Sequence, residues 1–231
     1  MDNQFAELEK TIGITFKDRK LIKNVFIHRS YLNEHKDFDQ PSNEKLEFLG
    51  DSVLSLITSI YLYKHFPKLK EGDYTDIKAS IVRTESLAEV GLKLNLGKYL
   101  YLSKGEELGK GRENMNILAD CFEALVAAIF IDHNFDDAYN FVLKNLFQTK
   151  LEYIVENMLY LSPKSRLQEY IQAKYKVLPL YTIVEEKGPE HKKVFQVSVS
   201  LDKKLLGTGT GSSKKQAEEQ AAKNALEKME F

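Results

Sequence analysis

The sequence predicts an all-α domain over residues 1–160, followed by an α+β domain over residues 161–231 with the element order α-β-β-β-α. Hydrophobic residues recur with helical spacing up to about residue 160, and segments of alternating polarity occur only after Ser162-Pro163. The charge changes at the same place. Residues 162–231 hold 13 Lys and Arg against 9 Asp and Glu, or +4, whereas residues 1–161 hold 20 against 25, or −5. A basic module after an acidic one suggests a polyanionic partner for the second domain.

Composition restricts the class of protein further. The 231 residues are 43% hydrophobic, which is enough to bury the cores of two modest domains. The single cysteine, Cys121, excludes an intramolecular disulfide and a thiolate zinc cage. The N-terminus has no basic segment followed by an apolar one, and no apolar run reaches the roughly 20 residues of a membrane span. We therefore expect a cytoplasmic protein without a membrane partner.

The first domain is predicted to be built around three long helices. These helices span Asn43–Phe66, Asn116–Asp132 and Asp136–Leu159. Shorter helices are predicted at Phe5–Ile12, Asp18–Ser30, Asp73–Val82 and Ser86–Leu94. No strand-like alternation of useful length occurs before residue 160, so the domain is predicted to be all-α.

The second domain begins and ends with a predicted helix. The helices span Lys164–Lys174 and Ser213–Met229, and the strands between them span Leu180–Glu185, Val194–Leu201 and Lys204–Gly209. Turn residues separate the strands at Gly188-Pro189 and Asp202-Lys203. The segment is therefore predicted to be a small α+β domain.

The first long helix carries three acids on one stripe. Glu44, Glu47 and Asp51 fall within about 60° of arc, opposite the apolar face of the helix. A solvated acidic face would explain this stripe equally well. However, no Lys or Arg lies one turn away to relieve the repulsion, and Phe48 lies among the acids.

The second long helix places two acids in an apolar setting. Asp120 and Glu123 are i,i+3 neighbours on a helix that is apolar nearly all round and is predicted to be buried. Two ionised carboxylates there require a buried Arg or Lys, a proton or a metal ion as compensation. A buried ion pair remains an alternative to a functional site.

Carboxylates that converge from two helices are stable with raised pKa values or with a bound cation. Oxygen ligands favour a hard ion such as Mg²⁺ or Mn²⁺, and such a site suits hydrolysis of a phosphate ester. Carboxylate spacing alone leaves a Ca²⁺ site open. The Glu-x-x-His pairs of helical di-iron proteins are absent from the sequence, which argues against a di-iron site.

Two motifs resemble the ribonuclease III family. The segment Asn43–Leu54, NEKLEFLGDSVL, resembles the family signature, and Leu118–Leu125, LADCFEAL, resembles its second acidic motif. With the basic domain that follows, the resemblance covers nearly the whole chain. It implies an all-α endonuclease domain that dimerises, followed by an α+β double-stranded RNA-binding domain.

The resemblance also implies an activity and its residues. The activity is Mg²⁺-dependent cleavage of double-stranded RNA by a homodimer, with Mn²⁺ as a substitute and without a nucleotide cofactor. The products carry 5′-phosphate and 3′-hydroxyl ends with short 3′ overhangs, and ribosomal RNA precursors and other structured transcripts are the expected substrates. The implied metal ligands are Glu47, Asp51, Asp120 and Glu123, with Asp51 and Glu123 as catalytic residues. The implied dimer or auxiliary residues are Glu44, Phe48 and Glu71, with Phe48 inserted into the partner subunit.

The second domain offers three polar segments for RNA. The segment at the start of the last helix, taken alone, is also explained by ordinary helix capping with solvated lysines. A-form RNA presents phosphates and a shallow minor groove lined with 2′-hydroxyls, which lysines and short polar side chains suit. The implied RNA-binding residues are Ser165, Gln168, Glu169 and Gln172 of the first helix, Pro189 and His191 of the turn, and Ser213, Lys214 and Lys215 of the last helix.

Two other functions remain open at this point. The first is a double-stranded RNA-binding regulator whose nuclease site is silent, although the presence of all four acids argues against it. The second is a metal phosphohydrolase that acts on nucleotides and uses its second domain only for assembly.

Overall fold

The structure is a computed structural model that describes residues 4–189, 192–202 and 204–229. The chain divides between Asn157 and Met158 into two compact units. The first unit is helical, and the second has the order α-β-β-β-α, so the predicted fold class is confirmed.

Over its described residues, 4–157, the first unit consists of ten α-helices together with short 3₁₀ and π segments. The α-helices are α1 (Ala6–Ile12), α2 (Arg19–Val25), α3 (Arg29–Glu34), α4 (Glu44–His65), α5 (Glu71–Ile81), α6 (Thr84–Lys93), α7 (Lys104–Leu108), α8 (Met115–Asp132), α9 (Phe135–Val142) and α10 (Glu152–Glu156). The 3₁₀ segments span Leu96–Tyr99 and Gly111–Glu113, and a π-helix spans Leu143–Leu151.

Helix α8 forms the centre of this unit because its sequence is apolar on nearly every side. It packs against α4 along one side and against α6 along another, and most of its residues are buried. Asn114 caps its start by accepting hydrogen bonds from the backbone N–H groups of Asn116 and Ile117. Helix α4 is anchored at its own start, where the buried Asn43 donates from Nδ2 to the carbonyl oxygen of Val25.

Helix α4 is long and apolar enough to cross a membrane by length and composition alone. The sequence prediction considered apolar runs and therefore did not identify α4 as a candidate membrane span. Eight of its residues, including Leu54, Ile57 and Leu62, are buried inside the unit, and a core helix passes the same test of composition.

Two predicted helices of the first unit are interrupted. The helix predicted over Asp18–Ser30 ends at Val25, because Ile27 leaves the helix and forms a parallel bridge with Tyr101. A separate helix, α3, then begins at Arg29. The helix predicted over Asp136–Leu159 is divided by the π-helix between α9 and α10.

The second unit is a three-stranded antiparallel sheet with two helices. Helix α11 (Pro163–Tyr175) is followed by β1 (Leu180–Lys187), β2 (Val194–Leu201), β3 (Lys204–Gly211) and α12 (Lys214–Met229), and the strand order is β1-β2-β3. Both helices contribute to its core, which includes Leu167, Ile171, Val197, Val199 and Leu226. Helix α12 lies directly against β3, since a Cβ on Gly209 would come within 2.2 Å of the backbone nitrogen of Ala221.

Candidate active site

The site forms where α4 and α8 make backbone contact. Gly50 of α4 is buried, and a Cβ added to it would lie 1.9 Å from the backbone oxygen of Glu123 on α8. Only glycine permits so close an approach of the two helices. The two helices are thereby fixed together at the level of Glu47, Asp51, Asp120 and Glu123.

Three of the four acids meet across this contact. Glu47 of α4 and Asp120 and Glu123 of α8 each offer a carboxylate oxygen, and the three oxygens lie within 4.8 Å of one another. All three side chains are partly buried. Asp51 is exposed and lies outside this group of three, but its negative charge acts on Glu123.

Burial raises the pKa values of these three acids, and at Glu123 and Glu47 the charges of neighbouring acids add to the rise. Glu123 has a pKa raised to about 8, first by burial and then by the negative charges of Asp51, Asp120 and Glu47. Burial also raises the pKa of Asp120 and that of Glu47, and the charge of Asp120 adds to the rise at Glu47. Without a cation, the cluster therefore holds protons that isolated carboxylates would lose.

Basic residues of α3 and its N-cap lie at the edge of the cluster. The charges of His28 and Arg29 oppose the rise in the pKa of Asp120. The Arg29 side chain is 72% exposed and lies 3.6 Å from Glu44, measured from Nη1 to Oε1. It therefore lies at the rim and does not fill the space among the carboxylates. Burial lowers the pKa of His28, whose Nδ1 is 2.8 Å from the Ser30 hydroxyl.

The site residues predicted from the sequence did not include Gly50, His28 or Arg29. Gly50 falls inside the motif that carries two of the acids, which was a signal for its importance. No periodicity or spacing links α3 to α8, so the proximity of Arg29 to the acids arises only from the tertiary fold.

The donor set fits a hard divalent cation. Three carboxylates that are close enough to share one ion, partly buried and strongly coupled, would be neutralised by the ion in place of protons. Asp51, whose charge acts on Glu123, is exposed to solvent. The arrangement is therefore suited to chemistry on an anionic group such as a phosphate.

An apolar stripe runs along the exposed side of α4. Phe48, Leu56 and Tyr63 are 78%, 52% and 75% exposed. Together with Ser52 and Ser59 they fall within about 80° of arc on the helix. We call these five residues the α4 stripe. Large exposed apolar side chains in one row indicate a protein interface.

The remaining predicted residues of the first unit lie at its surface. Glu44 is exposed at the start of α4 and accepts a hydrogen bond from the Ser42 hydroxyl at 2.7 Å. Glu71 is exposed at the first position of α5. Neither of them belongs to the group of three carboxylates.

The predicted RNA-binding residues of the second unit are exposed wherever the structure describes them. Ser165, Gln168, Glu169 and Gln172 lie on α11, Pro189 follows β1, and Ser213, Lys214 and Lys215 lie at the start of α12. The Ser213 hydroxyl accepts a hydrogen bond from the backbone N–H of Gln216 at 3.2 Å and caps this helix. His191 lies outside the described residues.

Sequence comparisons agree with both units. A family model described as Ribonuclease-III-like matches residues 18–150, and one described as Double-stranded RNA binding motif matches residues 163–229. The chain is 45% identical to a Ribonuclease 3 of Chloroflexus aurantiacus over 228 residues, covering 98% of this chain and 92% of that protein. It is 44% identical to a Ribonuclease 3 of Dehalococcoides mccartyi over 225 residues, covering 97% and 94%.

A solved structure is similar to the first unit. It is the nuclease domain of ribonuclease III from Campylobacter jejuni, a domain described as structurally flexible in a region involved in dimer formation. The TM-score is 0.59 at 34% identity, and the match covers 63% of this chain and 98% of that one.

Proposed function

The chain belongs to the ribonuclease III family and is an endoribonuclease of double-stranded RNA, and from this premise we propose the residues and the chemistry by which it cuts. Residues 1–160 form the catalytic and dimerisation domain in this proposal, and residues 161–231 bind the duplex. The two family matches end at residue 150 and begin at residue 163, which supports this division.

The single observation that carries the catalytic proposal is the convergence of carboxylates from α4 and α8. The oxygens of Glu47, Asp120 and Glu123 lie within 4.8 Å of one another, and the charge of Asp51 reaches Glu123. We propose that these four acids bind Mg²⁺, with Mn²⁺ as a substitute, because both are hard ions that prefer carboxylate oxygens. Burial and then the charges of the neighbouring acids raise the pKa of Glu123, and a bound cation would stabilise its ionised form against both.

The proposed reaction is in-line hydrolysis of a phosphodiester. A bound divalent ion supplies positive charge at the phosphate and lowers the pKa of water. Glu47, Asp51, Asp120 and Glu123 would hold the ion, and the exposed carboxylate of Asp51 would also accept a hydrogen bond that orients the attacking water. The water oxygen would bond to phosphorus and lose a proton to the solvent, while the bond to the 3′-oxygen breaks and that oxygen takes up a proton from the solvent. The products carry 5′-phosphate and 3′-hydroxyl ends.

We propose that the enzyme acts as a homodimer joined through the α4 stripe. Phe48 is 78% exposed on the same helix as two of the acids, so a partner that covers it lies close to the cluster. Two sites related by a two-fold axis would cut the two strands at staggered positions and leave short 3′ overhangs. Glu44 and Glu71 act as auxiliary acids near this seam.

The second domain supplies affinity for the duplex in this proposal. Lys214 and Lys215 lie exposed at the start of α12, where backbone N–H groups and the helix dipole also favour phosphate. The exposed polar face of α11 and the turn at Pro189 and His191 reach the minor groove, where 2′-hydroxyls distinguish RNA from DNA. Recognition of this kind reads shape more than sequence.

We place the enzyme in the cytoplasm, acting on ribosomal RNA precursors and other structured transcripts. Hydrolysis by water needs no nucleotide as an energy source, and the proposed chemistry requires no membrane. A protein that only binds RNA would not need three carboxylates close together, because such a cluster is costly without a cation and serves no purpose in RNA binding. A nucleotide phosphohydrolase would not require the RNA-binding motif matched at residues 163–229.

The test is cleavage of a long RNA duplex with Mg²⁺ or with EDTA, followed by mapping of the product ends. We expect cutting only with Mg²⁺, and ends that carry 5′-phosphate and a 3′ overhang. Free nucleotides added in excess are expected to leave the rate unchanged. Binding of the duplex without cleavage would support the silent regulator, and hydrolysis of the nucleotides would support the phosphohydrolase.

A further inference from the structure

A row of paired residues crosses the sheet of the second unit and ends beside α12. Glu186 of β1 pairs with Phe195 of β2, and Phe195 pairs with Gly211 of β3. Three residues after Gly211 comes Lys214, the first residue of α12. A Cβ on Gly211 would lie 2.6 Å from the backbone nitrogen of Ala217, so the first turn of α12 lies directly on the end of this row.

The carboxylate of Glu186 lies between two lysines at this place. Its Oε1 is 3.6 Å from Nζ of Lys214, and its Oε2 is 3.8 Å from Nζ of Lys193. The ammonium group of Lys214 also lies 5.8 Å from the centre of the Phe195 ring. The acid and the aromatic ring together hold Lys214 over the sheet.

We propose that Glu186 is an affinity-limiting residue that competes with RNA phosphate for Lys214 and Lys193. The proposal rests on the proposed role of Lys214 in binding phosphate. A phosphate that binds Lys214 either displaces the carboxylate of Glu186 or remains close to it, where the two negative charges repel each other. In both cases part of the attraction between lysine and RNA is lost.

This competition is governed by charge at a solvated surface. The side chain of Glu186 is 39% exposed, and those of Lys193 and Lys214 are 40% and 59% exposed. Exposed ion pairs are weak, so RNA can break them, but each still lowers the net gain from a phosphate contact. Without the carboxylate, the charge of the two lysines is fully available to RNA phosphates, so binding would release more of the cations that RNA holds.

Such a limit on affinity is useful to an enzyme whose product resembles its substrate. Both are double-stranded RNA, so a domain that held the duplex too tightly would retain the cleaved ends. The proposal therefore predicts that Glu186 increases turnover by weakening binding.

The test compares Glu186→Gln with Glu185→Gln in the full chain. Glu185 is the matched control because it is the preceding residue of β1, loses the same charge and pairs instead with Lys187, at 2.8 Å. Binding to an RNA duplex is measured in EDTA, so that no cleavage occurs, over a series of salt concentrations. We expect Glu186→Gln to bind about two- to fivefold more tightly at physiological salt, with a steeper dependence on salt, and Glu185→Gln to change neither.

A second pair of variants separates this inference from the proposed function. Adding Glu186→Gln to Lys214→Ala is expected to give a smaller gain in affinity than Glu186→Gln alone. If Lys214→Ala leaves affinity and salt dependence unchanged, the proposed phosphate contact is wrong. If Lys214→Ala weakens binding while Glu186→Gln and Glu185→Gln behave alike, the phosphate contact stands and the competition by Glu186 is refuted.

Single-turnover and multiple-turnover cleavage rates, measured with Mg²⁺, distinguish slow product release from a loss of folding. We expect Glu186→Gln to leave the single-turnover cleavage rate unchanged and to lower the multiple-turnover rate, because product leaves more slowly. An equal fall in both rates would show that Glu186 supports the structure of the domain and would overturn the proposal.

Discussion

The backbone of Gly50 lies against the carbonyl group of Glu123, so closely that a Cβ on Gly50 would stand 1.9 Å from the carbonyl oxygen and 2.5 Å from its carbon. This contact joins α4 to α8 between the positions of Glu47 and Asp51. The distance between the acids of the two helices is therefore set by a residue that has no side chain.

Gly50→Ala is expected to force the two helices apart. Overpacking of a core commonly costs about 1–3 kcal/mol, which for a chain of this size lowers the melting temperature by about 2–4 °C per kcal/mol. We also expect slower RNA cleavage by the folded variant, because the carboxylates separate. Gly72→Ala is the control, since a Cβ on Gly72 of α5 meets nothing within 4 Å and alanine favours a helix. Equal melting temperatures and rates for the two variants would refute the argument.

The raised pKa of Glu123 predicts that the stability of the metal-free protein falls with rising pH. The folded state keeps its proton up to about pH 8, whereas the unfolded state loses it near pH 4.5. The contribution of this group to stability is therefore fully present below pH 4.5 and is lost as the pH rises through 8. In EDTA, thermal melts from pH 5.5 to 8.5 are expected to show a decrease for the native chain that is smaller in Glu123→Gln.

Mg²⁺ is expected to reverse this loss. At pH 8 the ion takes the place of the proton, so its addition raises the melting temperature of the native chain more than that of Glu123→Gln. Glu227→Gln, at an exposed position of α12, is the control for loss of a negative charge. An identical pH dependence in all three proteins would mean that Glu123 titrates as an ordinary carboxylate.

Glu123→Gln also tests the catalytic proposal. The amide keeps the shape of the side chain but loses a charge that binds the cation, so we expect the cleavage rate to fall at least about 100-fold while the duplex is still bound. Single-turnover cleavage and a gel-shift assay measure the two properties separately. Cleavage at a near-native rate would remove Glu123 from the site.

The sequence predicted the acids of this site but not the helix contact that brings them together. The helical period placed Glu44, Glu47 and Asp51 on one stripe, and the apolar surroundings of Asp120 and Glu123 indicated that these acids need compensation. The periodicity of apolar residues describes each helix separately, so it does not predict how α4 packs on α8. The contact at Gly50 was therefore missed.

The fold class could be predicted because apolar spacing changes clearly after residue 160. Two interruptions of the predicted helices could not be predicted from this spacing. Helix α2 ends where Ile27 bridges to Tyr101, a residue more than 70 positions away. The π-helix at Leu143–Leu151 has i→i+5 hydrogen bonds in place of i→i+4 bonds, and the apolar pattern of the sequence does not reveal this change.

The α4 stripe predicts the effect of a charge placed at Phe48. Phe48→Glu is expected to convert the proposed dimer into monomers, because an interface that buries this ring would have to bury a carboxylate. Leu108→Glu is a matched control, since Leu108 is 89% exposed and lies on α7, away from the stripe. Sedimentation velocity at micromolar concentration measures the assembly state. A native chain that is monomeric, or a Phe48→Glu variant that remains dimeric, would contradict the proposed interface.

The lysines at the start of α12 predict how RNA binding responds to salt. Lys214→Ala combined with Lys215→Ala removes the two proposed phosphate contacts, so the slope of log K against log salt is expected to become shallower by about two. Lys223→Ala combined with Lys228→Ala removes the same charge from the later turns of the same helix and controls for net charge. The slope is measured with an RNA duplex in EDTA, so that cleavage does not interfere. If the two double variants shift the slope equally, the binding reflects overall charge, and the start of α12 is not the phosphate site.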